Sequence, residues 1–233
     1  MRFSLLIPTK DRHERLKQLI SSICQTAHRL WEIEILFYID EDDSNTREHK
    51  LIKQFPQINM QFFRQPANST HGNRYNFLLS KSQGEVLMYG ADDIIFESLY
   101  WDKYVYTEFM RYPDRILLVY PKTKNYNCRL AAHGFVSRKS TEILGRIFTP
   151  YFYAVCDDVW LTKIYEGVGR LLCLDKISII HKHFLFYPDV KDKTYDNGKI
   201  NADKDGIIWE EHKSEIDLDR KKLQLYINAY QNK

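Results

Sequence analysis

The sequence predicts an α/β fold with a mainly parallel central sheet flanked by helices, and three observations carry that reading. Short apolar runs alternate with stretches of helical periodicity, the signature of βαβ units. Several runs are apolar almost throughout, as strands covered on both faces require. Two of them, ending at Asp40 and at Asp92-Asp93, deliver carboxylates to the carboxyl edge of the sheet, where open α/β sheets bind ligands. At 233 residues, with 44% hydrophobic and 28% charged content, the chain suits one globular domain with an appended tail.

In order, Phe3–Ile7 is a first buried strand closed by Pro8. Asp11 is placed to cap a helix in which Leu16, Leu19, Ile20 and Ile23 recur at helical spacing. Ile33–Ile39 is the second strand, followed by the acidic Asp40-Glu41-Asp42-Asp43. That cluster suits either a solvated loop or recognition of a ribose or base edge. A helix over 46–54, a strand over 58–64 and a helix over 73–82 lead to the stretch Glu85–Phe96, whose apolar run is read as a central strand ending in the acid pair Asp92-Asp93. Leu99–Arg111 is helical with a face of Trp101, Tyr104, Val105 and Phe109, and Arg115–Tyr120 is another strand. Ala131–Val136 is extended, Ser140–Gly145 helical, and Asp157-Asp158 open a helix through Tyr165. Acids in a first turn also fit dipole capping alone.

Leu171–Leu174 and Lys176–Ile180 read as two strands, the second running into His181-Lys182-His183. The two histidines are taken to project oppositely, so that one faces the acids. Asn197-Gly198 and Asp205-Gly206 read as turns, which makes 188–205 a long loop or lid. A charged helical tail follows, with Leu218, Leu223, Leu225 and Ile227 as its apolar positions. The expected division is a catalytic domain over 1–187, with 188–233 packed on it.

Composition narrows the function. The 34 basic and 31 acidic residues give a net charge of +3, too balanced to argue for nucleic acid as a partner. Cys24, Cys128, Cys156 and Cys173 are scattered, which argues against zinc and a disulfide framework and fits a reducing compartment. No apolar stretch approaches the ~20 residues of a membrane span, so a cytoplasmic protein is expected. A phosphate-binding Gly-x-x-x-x-Gly-Lys loop, a dinucleotide Gly-x-Gly-x-x-Gly and a Gly-x-Ser-x-Gly elbow are all missing from the sequence. What remains is carboxylates at element boundaries with histidines beyond them. Paired carboxylates suit a hard divalent cation that in turn holds phosphates.

The order Leu5-Leu6-Ile7-Pro8-Thr9-Lys10-Asp11-Arg12, Tyr38-Ile39-Asp40, Asn73-Arg74-Tyr75-Asn76, Gly84-Glu85 and Gly90-Ala91-Asp92-Asp93 resembles family 2-type glycosyltransferases of GT-A fold. Cys156-Asp157-Asp158-Val159-Trp160 is similar to that family's Glu-Asp element. With Trp101-Asp102 and the His181-Lys182-His183 run, the chain especially resembles a microbial and phage-like subgroup. The resemblance spans roughly Phe3 to Tyr195. It implies sugar transfer, with inversion, from a nucleotide-diphosphate sugar, by default a UDP-sugar, to an acceptor hydroxyl, expected on a glycan.

By the same resemblance, Pro8, Thr9, Lys10, Arg12, Asp40, Asn76 and Asp92 would hold the donor nucleotide. Asp92 and Asp93, with His181 or His183, would hold Mn²⁺ or Mg²⁺ as a Lewis acid. Asp158 would be the general base beside Asp157, and Lys191 and Lys193 are further phosphate candidates. Gly90 stands where the family carries the first Asp of its D-x-D, and Asp157 replaces the usual Glu. Acceptor contacts are expected from 125–134, with His133, and from 188–205. Nucleotidyl transfer on a similar fold and a non-catalytic nucleotide- or glycan-binding module stand as alternatives.

Overall fold

Strand β1 (Phe3–Thr9) is the axis of the sheet, parallel to β2 (Ile33–Asp40) on one side and to β4 (Val86–Tyr89) on the other. The computed structural model describes residues 2–67, 69–123, 128–190 and 193–232, with the side chains at 190 and 193–200 outside that description. β3 (Asn59–Gln65) adds to β2 in parallel. Helices α1 (His13–Thr26), α2 (Glu48–Gln54) and α3 (His71–Lys81) make the crossovers. Alternate residues of β1 enter separate cores: Leu5 and Ile7 one, Leu6 the other. This two-sided burial is why the strand reads as a continuous apolar run.

Beyond β4 the sheet is mixed rather than parallel. β7 (Phe135–Ser137) runs antiparallel to β4, and β6 (Leu118–Thr123) antiparallel to β7. β8 (Leu171–His181) is parallel to β6, and β5 (Ile94–Phe96) is antiparallel to β8. The order is β3-β2-β1-β4-β7-β6-β8-β5. β4 and β5 are thus neighbours in sequence but lie at the middle and edge of the sheet, which must curl to allow it. The strand expected to end in the acid pair stops at Tyr89, and Asp92 and Asp93 sit in the turn between it and the short β5, which was not separately expected.

Other expectations change for equally local reasons. The two strands expected over 171–180 are one, with a register shift opposite Pro121/Lys122 that leaves Asp175 and Lys176 exposed. Asp11 does not cap α1: its backbone is left-handed (φ 56°) and its carboxylate accepts from the Ser44 and Asn45 N–H groups. The lid expected over 188–205 is a 3₁₀ turn, Pro188–Val190, and most of helix α7 (Lys193–His212). The Asp205-Gly206 pair that reads as a turn lies inside that helix.

Helix α4 (Trp101–Met110) buries Trp101, Val105 and Phe109 but leaves Tyr104 exposed. Helix α8 (Ile216–Gln231) packs on α5 (Arg138–Leu144) and α6 (Asp157–Gly167), burying Leu223 and Ile227 while Leu218 and Leu225 face outward. A disulfide joins Cys128 to Cys173, correcting the expectation from cysteine spacing. The pairing of β6 with β8 sets Tyr120 against Cys173, and the Tyr120 hydroxyl donates to the Cys128 carbonyl, so tertiary structure brings the two cysteines together. The argument for a reducing compartment falls with it. Among the described residues no helix is long and apolar enough to cross a membrane.

Candidate active site

The first acid pair occupies the turn between β4 and β5. Asp92 is buried and accepts from the Thr9 hydroxyl (2.7 Å) and the Arg12 guanidinium (2.7 Å). Burial pushes its carboxyl up, and the Arg12 charge and Thr9 hydroxyl oppose that push. Asp93 lies 3.3 Å from His181 Nε2 and 3.9 Å from the Arg15 guanidinium. The Lys182 N–H donates to the Asp93 carbonyl, which fixes the end of β8 against this turn.

His181 and His183 lie together, their rings 5.3 Å apart, which corrects the expectation that they project oppositely. Residues two apart in extended backbone share a face. His133 makes an edge contact with His181 at 4.5 Å. Burial first, then the neighbouring His181, holds His133 down at about 3, so it is neutral at physiological pH. Burial likewise lowers His183.

Gly90 has a steric explanation. A Cβ there would stand 2.6 Å from Ile7 Cδ1, so the position faces the core and not the cleft. Its carbonyl accepts from the Tyr75 hydroxyl at 2.5 Å.

Tyr75 links the two acid pairs. It lies one helical turn after His71, whose ring packs edge-on against it at 4.8 Å. His71 Nδ1 is 3.0 Å from Asp157 Oδ2. Burial, then the charges of Asp157, Asp92, Asp93 and Asp158, raises the Tyr75 hydroxyl well above its ordinary value. All four carboxylates therefore bear on one side chain.

Asp157 and Asp158 open α6 after Cys156, whose left-handed φ of 76° turns the chain into the helix. Asp157 is buried, its carboxyl raised to about 6 by that burial against the pull of His71, and its Oδ1 takes no hydrogen bond among the described residues. Asp158 is part-exposed and accepts from the Val159 N–H at 2.8 Å. Burial of its carboxylate raises it too, with His71 and His181 pulling the other way.

At the β2 end, Asp40 is held by Arg74 (3.1 Å), with Lys10 3.8 Å away. Burial pushes Asp40 up to about 6. Lys10 is tied to Asp42 at 2.5 Å, and Pro8 pairs with Tyr38 beside them. Asp43 belongs to the fold, accepting from the Asp11, Asn45 and Thr46 N–H groups.

Asn76 departs from expectation. Its amide nitrogen donates to the Phe148 carbonyl, and its oxygen accepts from the Ile147 N–H, so both ends clamp α3 to the chain after α5. Asp102 likewise accepts from the His28 and Arg29 N–H groups. Lys191 and the side chain of Lys193 lie outside the described residues, as does the start of the 125–134 loop.

No role for His71 or Arg15 was drawn from the sequence, and Arg74 and Tyr75 entered only as members of the Asn73–Asn76 motif. The signal was the i, i+3, i+4 spacing of His71, Arg74 and Tyr75 on one helix face.

Among the described residues no three His, Cys, Asp or Glu side chains gather closely enough to cage an ion. A cation that takes one or two carboxylates and completes its shell with substrate phosphates needs no such cage. The 3.3 Å approach of Asp93 and His181, with His183 beside them, fits a cation held in that way.

The curled mixed sheet with acids at its carboxyl edge defines a GT-A glycosyltransferase fold. The glycosyl transferase family 2 model matches residues 4–166, and the chain belongs to that family. Among solved structures it is similar to S. aureus TarS 1–349 in complex with UDP-GlcNAc, with TM-score 0.62 and 14% identity over 78% of this chain and 59% of that one. It is similar to the mannosyltransferase PcManGT from Pyrobaculum calidifontis in complex with GDP-Man and Mn²⁺, with TM-score 0.63 and 12% identity over 77% and 56%. It is also similar to GalNAc-T7 with UDP, GalNAc and Mn²⁺, with TM-score 0.62 and 14% identity over 78% and 44%. The chain thus spans less than two thirds of these longer proteins. No curated protein sequence matches it.

Proposed function

We propose that this protein transfers a sugar, with inversion, from a nucleotide-diphosphate donor to an acceptor hydroxyl, by default from a UDP-sugar to a glycan. The observation that carries the reading is the meeting of Asp92-Asp93 and Asp157-Asp158 around Tyr75 and His71. Two separate elements supply the pairs, and α3 joins them through the Tyr75–Gly90 and His71–Asp157 contacts, which supports a shared site. The GT-A neighbours bound to UDP-GlcNAc and to GDP-Man support the donor class.

In this reading the base and ribose lie along Pro8, Thr9 and Asp40, with Asp92 held toward the ribose by Thr9 and Arg12. Lys10 and Arg12 set positive charge at the diphosphate. Asp93, His181 and His183 would hold Mn²⁺ or Mg²⁺, which when bound supplies Lewis-acid stabilisation to the departing phosphate. Asp158 takes the proton from the acceptor oxygen as that oxygen bonds to the anomeric carbon and the nucleoside diphosphate leaves. General-base catalysis of this kind contributes ~10²–10⁴-fold. Asp157, bound to His71, holds the start of α6 so that its neighbour stays on the cleft.

Gly90 gives no support to a degraded site, because its side-chain direction is the core. The family match and the absence of a Gly-rich first loop both weigh against nucleotidyl transfer. Incubation with UDP-GlcNAc, other UDP-sugars and GDP-mannose in Mn²⁺ should release free nucleoside diphosphate from one of them. Pyrophosphate release, or nucleotide binding with no turnover of any donor, would overturn the assignment.

A further inference from the structure

Helix α7 reaches the cleft through one buried carboxylate. Asp205 is fully buried, and its oxygens accept from three consecutive backbone N–H groups: Tyr153 at 2.9 Å, Ala154 at 2.8 Å and Val155 at 2.8 Å. Three backbone donors on one carboxylate make a strong, geometrically specific clamp, since charge-assisted bonds are roughly twice as strong as neutral ones. The clamped residues run directly into Cys156, Asp157 and Asp158.

The same segment is held from two further sides. The Phe152 carbonyl accepts from the His71 N–H at 2.8 Å, the residue whose ring binds Asp157. Trp209, one turn after Asp205, packs on Phe152 at 6.2 Å and on Trp160 at 5.9 Å, one ring before the acid pair and one after it. The chain from Phe152 to Trp160 is therefore gripped at both ends by α7, with Asp205 the only charged member of the grip among the contacts described. A turn through left-handed Cys156 needs such external support, because αL backbone is unfavourable for a residue with a side chain.

We propose that Asp205 is a positioning residue for the general base, holding Tyr153–Val155 so that α6 presents Asp158 to the acceptor. The inference rests on the reading of Asp158 given above. Asp205 touches neither the first acid pair nor the β1–β2 edge in any contact described, so its work is confined to the acceptor side of the cleft. The expected signature is a split: turnover falls while binding of the nucleotide does not.

The test compares Asp205→Asn, Asp205→Ala and Asp158→Asn in the intact chain. Release of UDP or GDP from the sugar donor that the parent protein turns over reads catalysis, and titration with UDP in Mn²⁺ reads donor binding. Asp205→Asn is expected to lower kcat about 10- to 100-fold, the scale of a small misplacement, with the Kd for UDP within about threefold. Asp205→Ala should lose more than the Asn variant, which keeps one accepting oxygen.

Cys156 supplies a readout independent of activity. Its thiol is raised to about 11, by burial first and then by the Asp205 charge. In a Cys24→Ser background with the Cys128–Cys173 bridge left oxidised, iodoacetamide should label Cys156 several-fold faster once Asp205 is replaced. Unchanged labelling together with unchanged kcat would overturn the clamp. A variant that weakens UDP binding as much as turnover would also overturn it, as a general loss of structure. If Asp158→Asn keeps full turnover, the base assignment fails instead, whatever the labelling of Cys156 shows.

Discussion

The two acid pairs are built alike and stabilised differently. In each, one carboxylate is bound to a cationic or ionisable partner while its neighbour in sequence stands toward the histidines or the cleft. Asp92 is bound by Arg12 and Thr9, both from the β1 end, and Asp157 by His71 from α3. Arginine carries a permanent charge on a planar fork of donors, whereas the His71 contact is made through a single ring nitrogen. The first pair is therefore held by a permanent charge, which suits the proposed site for a charged nucleotide and cation. The second pair, proposed to exchange a proton, carries no fixed cation in the contacts described.

The sharpest test of that division is Asp158→Asn. Turnover should fall ~10²–10⁴-fold with UDP affinity in Mn²⁺ held, measured by nucleoside diphosphate release and by titration. Equal losses in both would put Asp158 with the donor and erase the distinction between the pairs. Arg12→Ala should come next. It leaves Asp92 buried without its cation, a change that costs about 3–5 kcal/mol when one partner of a buried pair is removed. Denaturant melts of Arg12→Ala, Asp92→Asn and the double variant should show recovery in the double, and simple additivity would deny the pairing.

Asp157→Asn should act in the opposite sense on stability. The folded chain holds the Asp157 proton up to about pH 6, while the unfolded chain releases it near 3.8. Folded protein then binds more protons between those values, so stability falls as pH rises through about 4 to 6 and levels above. A change from 3.8 to about 6 corresponds to at most about 3 kcal/mol. The Asn variant should match the parent near pH 4 and exceed it at pH 7.5, and a variant less stable at both would sink the argument. Gly72→Ala leaves both acid pairs chemically intact but should still cost about 3 kcal/mol or more, because a Cβ there falls on backbone that must shift. Its Cβ would stand 1.8 Å from the Thr149 carbonyl oxygen, which seats the first turn of α3 against the segment leading to the second pair.

The two pairs were unequally legible in the sequence. Asp92-Asp93 follows an apolar run, and strand-then-acid is a local pattern that survives folding unchanged. Asp157-Asp158 was visible as a pair, but its partner His71 lies 86 positions away, and only the docking of α3 brings them within 3.0 Å. Asp205 was hidden further, because Asp-Gly is a turn signal and the helix that overrides it is fixed by burial of the carboxylate under three N–H groups.

By itself the sequence determined the alternation of strands and helices from Phe3 to Tyr165 and the acids at the ends of β2 and β4, since side-chain period and strand burial are local properties. Tertiary structure alone decided the reversal of β7, the split between β4 and β5, the Cys128–Cys173 bridge and the meeting of the carboxylates at Tyr75. Each of these depends on which distant segments become neighbours, and that is set by the total burial of the folded chain rather than by any stretch of it.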